Sequence, residues 1–191
     1  ASMRELSEED MIKLALEITN ALVACEKKGI IHRDIKPENI LVTDDGHYML
    51  CDFGLARELN YRQLINSVKG TYKYMAPEVY HGQKYTNSVD IYSLGLILYQ
   101  YMNNRREVFI PLDKDTIYYR DQEKALEKRM ENYKILEPCN ASEEFADIIL
   151  RMMAYNPEER YDSAEKLYRD LVLLKEGKYR KKYGLLHYKK H

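Results

Sequence analysis

Residues 32–54 read HRDIKPENILVTDDGHYMLCDFG, and the centre of this stretch decides the fold. Two β-rich runs flank Asp45-Gly46, the pair favoured in a tight two-residue hairpin turn. With those two residues as the turn, position 44 opposes 47 and 43 opposes 48, and the same register carried outward sets Asn39 opposite Asp52. Opposed residues of an antiparallel ribbon stand roughly 4.5–5.5 Å apart on one face. An amide oxygen and a carboxylate so placed can share hard divalent cations, and Mg²⁺ typically binds through one or two protein oxygens plus substrate phosphates. The plainer alternative is two polar residues fraying the end of a hairpin.

The residues before the hairpin favour chemistry. Asp34 lies five positions before Asn39, with Lys36 between them, and Pro37 pushes Lys36 out of the helical region into a loop. A carboxylate, a cation and a metal pair suit phosphoryl transfer, where positioning and charge neutralisation do most of the work.

Outward from this stretch the chain reads as mostly helical. LSEEDMIKLALEITNALVACEKKGI opens with Ser7 and Asp10 as a capping box, keeps Met11, Leu14, Ala15, Ile18, Leu22 and Cys25 at helical spacing, and stops near Gly29. Residues 55 to about 75 lack periodicity and read as a loop. NSVDIYSLGLILYQYM is apolar on nearly every side, which predicts a buried central helix. Further helices are expected around DQEKALEKRMENY, SEEFADIILRMMAY and SAEKLYRDLVLLK. The basic, aromatic end of the chain, KYRKKYGLLHYKK, reads as a solvated, partly frayed terminus.

Bulk properties bound the function. A chain of 191 residues with 45% hydrophobic and 32% charged content fits one globular domain. A net charge of −1 gives no reason to expect nucleic acid or an anionic membrane as partner. No apolar run is long enough to span a bilayer, and ASMRELSEED is no signal peptide. Three scattered cysteines (Cys25, Cys51, Cys139) argue against a disulfide framework or thiolate metal site. The expected location is cytoplasmic, although a longer protein could be membrane-tethered.

HRDIKPEN, then DFG (Asp52, Phe53, Gly54), then APE (Ala76, Pro77, Glu78) resemble, in this order, the signature set of eukaryotic-type serine/threonine protein kinases. The fold this implies is the C-terminal lobe of a protein kinase, mainly α with an early β-hairpin that carries the catalytic and metal loops. Residues 1–175 would form that lobe, with the catalytic loop at 32–39 and the activation segment at 52–78, and 176–191 a basic tail. The stretch MNNRREVFIPL and the later helices are similar to bacterial eukaryotic-like kinases.

The resemblance also implies roles. Asp34 is the base that accepts or orients the substrate hydroxyl, and Lys36 contacts the γ-phosphate. Asn39 and Asp52 hold Mg²⁺, and Thr71 bonds to Asp34 and Lys36 beside the acceptor. The ATP-binding set is Lys36, Glu38, Asn39, Leu41 and Asp52. Leu41 forms the floor under adenine as a core leucine, and some relatives use the Glu38 position to select basic substrate residues. Arg33 and Ser67 form a regulatory pair, in which a phosphate on Ser67 docks on Arg33 and orders the loop. Asp90 braces the catalytic loop, Glu78 and Arg160 form a buried ion pair, and His32 and Phe53 belong to a hydrophobic spine. Cys51 is a small buried hydrophobe.

The resemblance spans the chain but only the large lobe: no GxGxxG precedes residue 32, and the lysine that grips the α- and β-phosphates has no counterpart. The partners implied are Ser/Thr protein substrates and a small lobe. A pseudokinase-like scaffold is the alternative, opposed by the intact Asp34, Lys36, Asn39 and Asp52. An antibiotic-phosphorylating small-molecule kinase is opposed by the APE segment and Thr71.

Overall fold

A computed structural model describes residues 6–53 and 71–182, with Thr71 described by its backbone alone. Helix α1 (Glu8–Lys27) begins as its sequence predicts. Ser7 Oγ accepts the Asp10 N–H at 3.2 Å, and the Asp10 carboxylate accepts the Ser7 N–H at 2.9 Å. Its apolar stripe, Met11 through Cys25, is buried. The hairpin strands β1 (Ile40–Val42) and β2 (Tyr48–Leu50) follow, then a one-turn helix α2 (Pro77–Tyr80) and helix α3 (Ser88–Met102). Helices α4 (Tyr119–Met130), α5 (Glu143–Met152) and α6 (Ala164–Lys175) complete the order.

Twelve of the fifteen α3 residues are buried, which makes α3 the central helix around which α1, α5 and the Thr71–Tyr74 turn pack. Glycine inside a helix costs about 1 kcal/mol relative to alanine, and Gly95 has a structural cause. A Cβ there would stand 2.8 Å from Met153 Cγ and 2.9 Å from Met152 Cβ, so the close approach of α5 to α3 excludes any side chain.

The hairpin forms, but its register corrects the expected one. Ile40 pairs with Leu50, Leu41 with Met49 and Val42 with Tyr48, so Asn39 falls opposite Cys51, whose N–H donates to the Asn39 carbonyl at 2.9 Å. A two-residue type I′ turn needs positive φ at both central residues. Of the residues at the tip only Gly46 adopts it (φ 78°). The loop therefore takes a third residue, closing between Thr43 and His47, with Thr43 Oγ1 donating to Asp45 and accepting the His47 N–H. A slip of one residue turns every side chain to the opposite face. The metal pairing inferred from the two-residue register therefore loses its geometric basis.

Helix α1 clamps this hairpin. Lys13 Nζ donates to the Gly46 carbonyl at 2.7 Å, and Glu17 accepts the Tyr48 N–H at 2.7 Å while its other oxygen meets His47 Nδ1 at 2.6 Å. Burial raises the Glu17 pKa, but the Tyr48 N–H, His47 and Lys13 outweigh it and hold the carboxyl below its ordinary value. A lowered folded pKa means the stabilisation is present above the ordinary carboxylate range and is lost as pH falls through the folded value. We predict that Glu17→Gln costs about 1 kcal/mol at pH 7 and nearly nothing at a pH below the folded value, where the carboxyl is protonated. Urea unfolding at both pH values checks this, and an equal gap at both contradicts it.

Most of the basic run at the end of the sequence, residues 183–191, lies outside the described residues. Within 176–182 one residue is buried and the rest are exposed: Tyr179 is 2% exposed, and its hydroxyl donates to Asp147 Oδ2 at 2.7 Å. Lys182 adds its N–H to the same oxygen and its Nζ to Asp170. One aromatic ring with a hydroxyl at its tip both fills the space beside α5 and satisfies a buried carboxylate. Among the described residues no helix is long and apolar enough to cross a membrane.

Candidate active site

Asp34 is the hub of the loop before the hairpin. It is 8% exposed, and its Oδ2 accepts both Lys36 Nζ at 2.6 Å and Asn39 Nδ2 at 3.0 Å. Asn39 Nδ2 also donates to the Asp34 carbonyl at 2.8 Å. Both amide hydrogens are thus directed at Asp34, which fixes the amide's orientation and leaves Oδ1 as its accepting or ligating atom. Pro37 starts the short 3₁₀ turn Pro37–Asn39 that delivers Asn39 to this position, and Glu38 on the same turn is exposed.

The loop's backbone is held from below by Asp90, near the start of α3. Its two oxygens accept the His32 N–H at 2.8 Å and the Arg33 N–H at 2.9 Å. Arg33 adopts φ 69°, a conformation that costs roughly 1–3 kcal/mol outside glycine and persists only when the surroundings impose it. Burial pushes the Asp90 carboxyl up, and the two backbone donors oppose that shift. His32 is fully buried: Nδ1 accepts the Asp34 N–H at 3.3 Å, so Nε2 carries the proton toward the Cys51 carbonyl at 3.0 Å. In that tautomer the ring's one acceptor lone pair, on Nδ1, is already taken by the Asp34 N–H.

Asp52 follows the hairpin ladder at φ 60°, exposed, so this local turn aims its side chain in place of the strand alternation. Phe53 sets its ring against His32, edge to face, with centroids 4.7 Å apart. Cys51 is only partly buried and its thiol donates to the Asn39 carbonyl at 3.3 Å. Leu41 is a correction: it is not a core leucine. It is 52% exposed, as is its partner Met49 at 54%, because both occupy the ribbon face turned away from α1. Gly54 and Ser67 lie outside the described residues, as does the Thr71 side chain expected beside Asp34 and Lys36.

After the Thr71–Tyr74 turn, the chain is tied to the core at two places. Glu78 and Arg160 form a bidentate pair at 2.6 and 2.7 Å, both side chains buried, with Arg160 also donating to the carbonyls of Ala154 and Tyr155. The second tie was not anticipated. Arg129 on α4 is buried, and its Nη1 and Nη2 donate to the Lys73 carbonyl at 2.5 Å and the Tyr72 carbonyl at 2.8 Å. In the charged run DQEKALEKRMENY it looks like one more surface cation. The signal available was its spacing of four from Ala125, which places both on the buried side of α4.

A family model described as "Protein kinase domain" matches residues 2–172. A probable serine/threonine-protein kinase of Clostridium perfringens is 34% identical over 173 residues, covering 87% of this chain and 24% of the relative. The serine/threonine-protein kinase cds1 of Schizosaccharomyces pombe is 35% identical over 172 residues, covering 85% and 35%. The serine/threonine-protein kinase AtPK1/AtPK6 of Arabidopsis thaliana is 44% identical over 101 residues, covering 52% and 22%. The chain therefore spans between about a fifth and a third of the length of these relatives.

Proposed function

We propose that this chain, which belongs to the protein kinase domain family, is the large catalytic lobe of a serine/threonine kinase that transfers the γ-phosphoryl group of ATP to protein hydroxyls. The observation that carries this reading is the shared Asp34 carboxylate, buried yet held by Lys36 and Asn39. A carboxylate so oriented accepts the hydrogen bond of an incoming Ser or Thr hydroxyl and takes its proton as the O–P bond forms. Lys36, already at Asp34, places its ammonium where the transferred phosphoryl oxygens gather charge. Asn39 Oδ1 and the Asp52 carboxylate are hard oxygen donors of the kind Mg²⁺ takes, and they would hold it; bound there, the ion neutralises phosphate charge. Thr71 orients the acceptor, Leu41 lies under the adenine ring, and Glu38 faces the substrate and nucleotide side.

The half-exposed Leu41 and Met49 form an apolar strip that a small lobe and a nucleotide would cover. The test is labelled-phosphate transfer from ATP to casein, by residues 1–191 alone and by a polypeptide that also carries the small lobe. Label on Ser and Thr from the longer protein, with negligible transfer by 1–191, is expected. Label confined to Tyr, or robust transfer by 1–191 alone, overturns the reading.

Ser67 is the proposed activating phosphosite. Among the described residues Arg33 has a buried Nε with no hydrogen-bond partner, and a phosphate carrying nearly two charges would satisfy it. Mass spectrometry of active protein should find phosphate at Ser67, and Ser67→Ala should cut the rate about tenfold or more. Full activity without that phosphate ends the idea.

A further inference from the structure

Gly177 turns the chain back at the end of α6. It adopts φ 67°, its N–H donates to the Leu174 carbonyl at 2.9 Å, and the Lys178 and Tyr179 N–H groups donate to the Leu173 carbonyl at 2.8 and 3.0 Å. The reversal sets the Tyr179 ring in a notch lined by Asp147 of α5, Asp170 of α6 and Tyr161. Of residues 176–182 only Tyr179 is buried. The ion pairs on either side of it, Lys178 with Glu176 and Lys181 with Glu137, are exposed, and such pairs hold weakly. The grip of this short clasp is therefore concentrated in one phenol. The part of the chain matched by the family ends at residue 172, ahead of it.

Two phenols and two carboxylates meet in the notch. Tyr179 donates to Asp147 Oδ2 at 2.7 Å, Tyr161 donates to Asp170 Oδ2 at 3.2 Å, and the two hydroxyls border each other. Burial first, and then the neighbouring oxygens, push both phenols above their ordinary value, so both remain protonated donors. Asp147 is 1% exposed, and a buried carboxylate that loses a donor is costly. Tyr161 is fully buried, with the Arg151 guanidinium 4.1 Å from its ring centroid. The residue before it is Arg160, whose fork holds Glu78 in a bidentate geometry that tolerates little displacement.

We propose that Tyr179 is a positioning residue for the Tyr72–Tyr80 segment beside the active site, acting through Tyr161 and Arg160 on Glu78. Docked, the clasp keeps Tyr161 in place and the Arg160 fork squarely on Glu78 of α2. Undocked, it leaves Asp147 short of a donor and Tyr161 free to shift, and the grip on Glu78 loosens. The consequence for acceptor binding rests on the kinase reading above.

Hydrogen exchange in residues 1–191 reads the coupling without requiring activity. In Tyr179→Ala the α2 amides of Val79 and Tyr80 and the adjoining amide of His81, bonded to the Ala76 and Pro77 carbonyls, should exchange about tenfold faster. The Tyr48 amide, held by Glu17 on the hairpin, should keep its rate. p-Cresol should refill the notch and restore the α2 rates saturably, whereas toluene, which cannot donate to Asp147, should not. Tyr179→Phe keeps the ring and loses the donor; it should quicken α2 exchange about threefold, and it serves if the alanine variant does not fold. In the protein carrying both lobes, Tyr179→Ala should raise KM for casein about fivefold with kcat and KM for ATP unchanged, and p-cresol should reverse the rise. Unchanged α2 exchange, an equal rise at Tyr48, equal rescue by toluene, or an unchanged KM for casein overturns the proposal. Faster α2 exchange with p-cresol rescue, but no transfer to any acceptor by the parent protein, supports the coupling and retires the kinase reading instead.

Discussion

Asp34→Asn lowers phosphotransfer to Ser and Thr acceptors by about a thousandfold in the protein carrying both lobes, with little change in KM for ATP. The substitution is nearly isosteric, and the new amide oxygen can still accept from Lys36 Nζ, which donates to Oδ2 at 2.6 Å in the parent. What disappears is the negative charge and the basic lone pair that takes the hydroxyl proton. Asn39 keeps its bond to the Asp34 carbonyl at 2.8 Å, so the loop geometry survives. Thermal unfolding run beside the transfer assay separates the two possible roles. A loss of rate with Tm shifted by no more than a degree or two marks a chemical role. A large fall in Tm with the rate per folded molecule unchanged would make Asp34 a structural carboxylate.

The meeting of Asp34, Lys36 and Asn39 was legible because they lie within one six-residue loop, where Pro37 restricts the backbone and local spacing controls encounter. Helices α1, α3, α5 and α6 were legible for a similar reason: each carries its period, and three carry a Ser N-cap, within its own segment. The hairpin was legible as an element but not in register, because that depended on whether Asp45 or Gly46 alone would enter the left-handed region. A side chain with a Cβ resists it, and one residue's φ moved the whole ladder. Leu41 shows a different limit. Apolar character says that a residue gains by burial, not what lies against it, and here its face is open. Arg129 and Tyr179 show a third. Their partners lie 32 to 57 residues away, so nothing nearby in the chain marks them as buried anchors.

The largest loss of stability should come from Arg160→Met. The change leaves the Glu78 carboxylate, 3% exposed, without the bidentate guanidinium that neutralises it, and an uncompensated buried charge costs roughly 3–5 kcal/mol. The same change strips donors from the Ala154 and Tyr155 carbonyls and removes the cation stacked 4.6 Å from the Tyr92 ring centroid on α3. Urea unfolding at pH 7 measures the loss. The double variant Glu78→Met/Arg160→Met removes the stranded charge and should recover about half of it, because the two carbonyls still lack their donors. If the double variant is no more stable than Arg160→Met, the cost lies in the lost Arg160 contacts and not in the Glu78 charge. If it matches the parent, the carbonyl bonds contribute nothing. The pair also matters beyond stability. Glu78 lies on α2, directly after the segment whose carbonyls Arg129 holds, so its loss frees one of the two anchors of the Tyr72–Met75 segment. In the two-lobed protein, Arg160→Met should therefore raise KM for the protein acceptor at temperatures where the variant is still folded. Arg129→Met should do the same through the other anchor.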